Sequence, residues 1–158
     1  MTRPGTTGEG RNGVDLPPEV ERLLLDVVAD GFTVYCCGPK SYPLALVAAY
    51  EWPGWVDLVT IRGLDLATAA RVPKHGPLDV FAPPTVVWAY QGRAEPTLRA
   101  LLGLVHPDHP EAPRSEHPAP PSLLIPRSEQ RPMSIRLPPP GQTAARAARL
   151  AASAACRP

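Results

Sequence analysis

Apolar residues recur along the first two-thirds of the chain with two different periods, and the period changes wherever glycine or proline stands. Between Pro17 and Gly31, the residues Val20, Leu23, Leu24, Val27 and Val28 keep the i, i+3, i+4, i+7, i+8 spacing of one helix face. Asp15-Leu16-Pro17-Pro18-Glu19 opens this helix, because proline is tolerated in a first turn whose N–H groups lack helical partners and acidic groups suit the positive end of the dipole. Gly31 supplies a left-handed cap. Phe32 to Cys37 is β-branched and aromatic and predicts a strand that stops at Gly38-Pro39.

The stretch Pro43 to Gly63 holds two apolar runs around Pro53-Gly54 and predicts a β-hairpin. With Trp52 set against Trp55, Tyr50 falls opposite Asp57, Ala48 opposite Val59 and Leu46 opposite Ile61. These share one bulky, partly aromatic face, while Ala45, Val47, Ala49 and Glu51 take the other with Val56, Leu58, Thr60 and Arg62. The small residues of that second face favour a helix lying on it. An L-Pro-Gly pair suits type I or II turns better than the primed turns of a two-residue hairpin. A longer loop from Trp52 to Trp55, slipped by one residue, is therefore the competing register and would exchange the faces.

Asp65 can cap a short Ala-rich helix, Leu66 to Val72, that Pro73 ends. Pro73 to Pro84 reads as loop, and Thr85 to Tyr90 as one more strand with Val86, Trp88 and Tyr90 on one face. Glu95 and Pro96 open a helix with the stripe Leu98, Leu101, Leu102, Val105, closed by Pro107. The order helix, strand, strand, strand, helix, strand, helix predicts an α+β body over 14–106. Its sheet is small, four-stranded and mainly antiparallel, with helices packed on one face. A crossover through the short helix would make the last strand pair parallel.

Composition changes the picture at both ends. Met1 to Gly13 is polar and rich in Gly and Thr, which predicts disorder. From Pro107 to Gln142 prolines recur so densely that the segment reads as an extended linker. Thr143 to Pro158 is rich in Ala and Arg and forms at most a marginal helix in isolation. The formal net charge is +1. It is unevenly spread: the body carries an acidic excess, and every cation of the tail beyond His106 is arginine. Neither half has the dense basic stripe of a nucleic-acid binder, so nucleic acid is not an expected partner. The three cysteines, Cys36, Cys37 and Cys156, have no disulfide-framework spacing. No signal-peptide pattern opens the chain, and no apolar run reaches membrane-spanning length. A cytoplasmic protein with reduced thiols, no membrane association and no cofactor is expected.

Candidate chemistry is sparse. Cys36 and Cys37 are adjacent in a strand and point to opposite faces, so they cannot share one metal or redox site. One of them acting as a nucleophile, with His75 as base and Asp79 behind it, defines a small thiol-dependent enzyme as an alternative; the bland reading is core packing. His106, Asp108, His109, Glu111, Glu116 and His117 have metal-ligand chemistry but sit among prolines without a rigid frame, so no metal is expected. Gly38-Pro39-Lys40-Ser41 is not a phosphate loop, since Pro39 removes an N–H from the cradle. Tyr50, Trp52, Trp55 and Trp88 are either core plugs or a recognition surface. The leading expectation is thus a non-catalytic protein-interaction or regulatory module, engaging another protein through the hairpin tip or a flexible tail. A small-molecule module with its pocket under the 73–84 loop is the third reading.

Overall fold

In the computed structural model, residues 16–39, 41 and 43–155 are described. The Met1–Gly13 segment expected to be disordered, and Cys156, lie outside them. Helix α1 (Pro18–Ala29) buries Val20, Leu23 and Val27, as its period requires. Gly31 follows at φ +104°, and a Cβ there would collide with the backbone carbonyl of Gln142. Glycine is thus needed twice over at that point, for its conformation and for the close approach of a distant segment.

Strands β1 (Thr33–Cys37), β2 (Ala45–Glu51) and β3 (Trp55–Gly63) form an antiparallel meander. The hairpin register matches the expectation: Tyr50 faces Asp57, Ala48 faces Val59 and Leu46 faces Ile61. The Trp52 N–H donates to the Trp55 carbonyl at 2.8 Å and closes the turn over Pro53-Gly54. Strand β4 (Leu66–Pro73) replaces the short helix expected at 66–72. Its alanines favour a helix in isolation, but a tight turn after Gly63 brings it antiparallel to β3, and sheet pairing with burial on both faces overrides local propensity. The segment expected as one strand from Thr85 to Tyr90 is divided at Val87, whose N–H donates to the Arg71 carbonyl. Its first part, β5 (Thr85–Val86), pairs with β7 (His117–Pro118), and its second, β6 (Trp88–Gly92), joins the main sheet beside β4. Helix α2 is Ala94–Leu102.

The main sheet therefore has six strands in the order β6-β4-β3-β2-β1-β8, not four, and every pair is antiparallel. The outermost strand, β8 (Met133–Arg136), comes from the region expected to be a linker. A 3-10 turn at Pro121–Leu123 and the short helix α3 (Arg127–Gln130) precede it. Repeated prolines do not keep this segment away from the core. They let it run over the sheet without needing backbone partners, while Leu123 and Ile125 drop into the sheet's second face. Helix α4 (Ala145–Ala155) is docked rather than free. The reading of the tail as a flexible tether is corrected accordingly.

The faces divide as the register requires, but the helices cover the opposite one from that expected. Ala48, Tyr50, Trp52, Val59, Ala67 and Ala69 meet α1, α2 and Leu150 of α4. The alanines of β2 and β4 provide the shallow places on that face, while Tyr50 and Trp52 fill the deeper layer. Val47, Ala49, Val56, Leu58, Ala70 and Val72 on the other face are covered by irregular chain: Leu78, Val80 and Phe81 of the 73–84 loop, and Leu123 and Ile125. Side chains thus occupy the space beneath that loop where a small-molecule pocket was expected.

Leu123 is fully buried, so Leu123→Ala should cost about 2–5 kcal/mol and lower the melting temperature by roughly 10 °C. A shift below about 2 °C in a thermal scan would return residues 107–142 to the status of an appendage.

Candidate functional site

Two features stand out, a buried cluster of charges and an apolar groove. The cluster begins at Asp57, the one acidic residue within an otherwise apolar stretch of β3, whose side-chain period turns it toward the helices. Arg71 lies directly opposite on β4 and grips it with a two-pronged contact, Nε to Oδ1 at 2.7 Å and Nη2 to Oδ2 at 2.9 Å. The Trp52 indole N–H donates to Oδ2 at 2.9 Å, and Arg146 of α4 adds its Nε at 3.1 Å. Arg146 also donates to Asp30 Oδ2 at 3.0 Å and to the Leu101 carbonyl at 2.8 Å, with its guanidinium over the Phe32 ring. Arg149, half exposed, clasps both oxygens of Asp30 at 2.8 Å and reaches the Leu102 carbonyl at 3.0 Å. Positive charge thus meets the free carbonyls at the negative end of α2.

Burial alone would raise the pKa of Asp30. Hydrogen bonds from Arg149 and Arg146, and then their charges, outweigh it and hold the carboxyl below its ordinary range. Asp57 accepts four hydrogen bonds, one at Oδ1 and three at Oδ2, and is closed to solvent. A carboxylate so enclosed is out of a substrate's reach, and the cluster acts as a clamp between elements. The Arg71 Nη1 is buried without a partner among the described residues.

The groove lies between α1 and the β8 edge of the sheet. Leu24, Leu25, Val27 and Val28 form its helical wall; Val34, Cys36, Leu46 and Ala48 form its floor; Ser134, Ile135 and Arg136 form its outer rim. Its volume is about 460 Å³. Leu25 on the helical wall is 60% exposed, so the groove presents a large apolar residue to water. Beyond β8 the sheet has no further strand among the described residues. Gly38 N donates to the Pro132 carbonyl, which makes Cys36–Ser134 and Val34–Arg136 the hydrogen-bonded pairs of this ladder. By alternation Met133 and Ile135 turn their N–H and C=O groups to the open edge.

The residues singled out from sequence fall as follows. Tyr50 and Trp52 are buried; the Tyr50 hydroxyl accepts the Ala147 N–H at 3.2 Å, and Trp52 packs against Tyr50 and His106. Trp55 and Trp88 are half-buried against the same core. Cys37 is buried on the loop-covered face, where burial first, and then the neighbouring Cys36, push its thiol pKa up against the pull of Arg62. Cys36 lines the groove. His75 pairs with Glu116 at 3.0 Å, and the Asp79 carboxylate accepts the Phe81 N–H of its own turn, so no hydrogen bond joins either cysteine to His75 among the described residues. His106 and His109 each accept a backbone N–H two residues on, from Asp108 and Glu111. Among the described residues no group of three or more His, Cys, Asp or Glu side chains is placed to hold a metal ion. No helix among them is long and apolar enough to cross a membrane. Arg71, Arg146, Arg149, Asp30 and Asp57 escaped the sequence reading, although the acidic excess of the body and the all-arginine tail carry their signal.

The fold and these features define an antiparallel α+β domain whose open strand edge borders an apolar groove. Comparison with protein-family models, curated proteins and solved structures yields no match.

A carboxyl held below its ordinary pKa stabilises the fold above about pH 4, and that contribution fades as pH falls through the lowered value. The melting-temperature gap between wild type and Asp30→Asn should therefore be widest near neutral pH and shrink below about pH 4. A gap independent of pH would contradict the ionised clamp.

Proposed function

We propose that this domain is a non-catalytic protein-interaction module that receives an extended polypeptide along the open edge of β8. The observation that carries the reading is the coincidence of outward-turned backbone groups at Met133 and Ile135 with the adjoining apolar groove. A strand added to a sheet edge gains main-chain hydrogen bonds, and pockets beside the edge select its alternate side chains. Here the groove offers such pockets to residues pointing toward α1, where Leu24, Leu25 and Val28 stand ready. The hairpin-tip aromatics are spent on the core, so the recognition surface moves from the tip to the opposite edge of the meander.

Selection of random peptides displayed against the full chain tests the reading. Binders should alternate apolar residues at every second position, and Leu25→Glu should weaken them by about tenfold or more, because Leu25 contributes one exposed apolar wall. Binders indifferent to Leu25→Glu, or no binders at all, would count against it.

A further inference from the structure

We propose that the strand received at this edge is β8 of a second copy of the chain, joined about a two-fold axis at Ile135; this rests on reading the β8 edge as a docking site. The extended stretch is short, because Pro132 and Pro138 flank it and their rings fix φ near about −65°, away from the extended value of the ladder. Five residues, Met133 to Leu137, lie between those prolines, and Ile135 is the middle one. Antiparallel pairing of this stretch with itself about Ile135 sets Ile135 opposite Ile135 of the other copy, Met133 opposite Leu137 and Ser134 opposite Arg136. Each outward-turned residue then exchanges its N–H and C=O with the other copy.

The side chains agree with that register. Arg136, the one charged residue of the stretch, meets a serine rather than another arginine, so no like charges are opposed. The exposed Ile135 and Leu137 are brought against apolar counterparts. A two-fold axis normal to the sheet leaves the helical faces of both copies on the same side. The two grooves then merge into one trough between the two α1 helices, with Leu25 of each copy at its margins. An isologous contact of this kind uses the same patch on both partners, so the two paired strands have the same five-residue length.

Sedimentation equilibrium of the full chain tests the proposal. Wild type should show a reversible monomer–dimer equilibrium at about 0.1 mM. Ile135→Pro should be monomeric with an unaltered circular dichroism spectrum, since the N–H it removes points away from β1. Ile135→Lys, which sets two cations on the axis, should be monomeric as well and serves if the proline variant fails to fold. A wild type that stays monomeric at that concentration overturns the proposal, and so does a dimer that survives both substitutions. Peptide binding sensitive to Leu25→Glu in a monomeric protein would sink the self-pairing while leaving the docking edge standing.

Discussion

Arg146 is fully buried and bonded at once to Asp57 in the middle of the sheet, Asp30 at the end of α1 and the Leu101 carbonyl at the end of α2. The rest of the structure is arranged around that meeting. Taking guanidinium and carboxylate groups out of water costs several kcal/mol per ion, and the cost is offset only where nearly every donor and acceptor finds a partner. Such a cluster adds less net stability than an apolar core of the same volume would. It does, however, make geometry strict, because a helix carrying Arg146 in any other register would leave two buried aspartates short of partners. The C-terminal helix is poor in large side chains, with Leu150 as its one buried leucine. Charge, not bulk, tells it where to sit.

The same cluster explains how the chain closes. Arg146 N donates to the Asp30 carbonyl, and the segment leading to α4 passes directly over Gly31. That path begins at β8, so the docking of α4 and the pairing of β8 with β1 are two ends of one strap across α1 and the sheet edge. The groove lies between α1 and β8, the strand at which this strap begins.

Much of the fold was legible in the sequence because local signals agreed with tertiary demands. The α1 stripe follows from periodicity, the Gly31 cap from glycine's freedom at positive φ, and the hairpin register from a turn set at Pro53-Gly54. Where structure departs from expectation, strand pairing and burial override local propensity. Leu66 to Val72 has the composition of a helix, yet its alanines are what a strand needs if a helix is to lie close on one side and irregular chain on the other. The proline-rich segment has the composition of a linker, yet Leu123 and Ile125 complete the second face of the sheet. The helices take the face that carries Ala48, Ala67 and Ala69, because the alanines of β4 open shallow places there that β2 alone does not show.

The candidate site was less legible. Tyr50 and Trp52 announced themselves by size, and size is a property of cores as much as of interfaces. An open edge is a property of topology and cannot be read before the position of β8 is known. The aspartate within Val56-Asp57-Leu58-Val59 was the one local anomaly that pointed inward, since an acidic side chain in a buried strand requires a cation from elsewhere.

The most direct test is the thermal unfolding of Arg146→Ala. Removing one partner of a buried ion pair costs about 3–5 kcal/mol, so a fall in melting temperature on the order of 10 °C or outright loss of the cooperative transition is predicted. A variant that melts within about 2 °C of wild type would show that α4 and its arginine are bystanders to the fold.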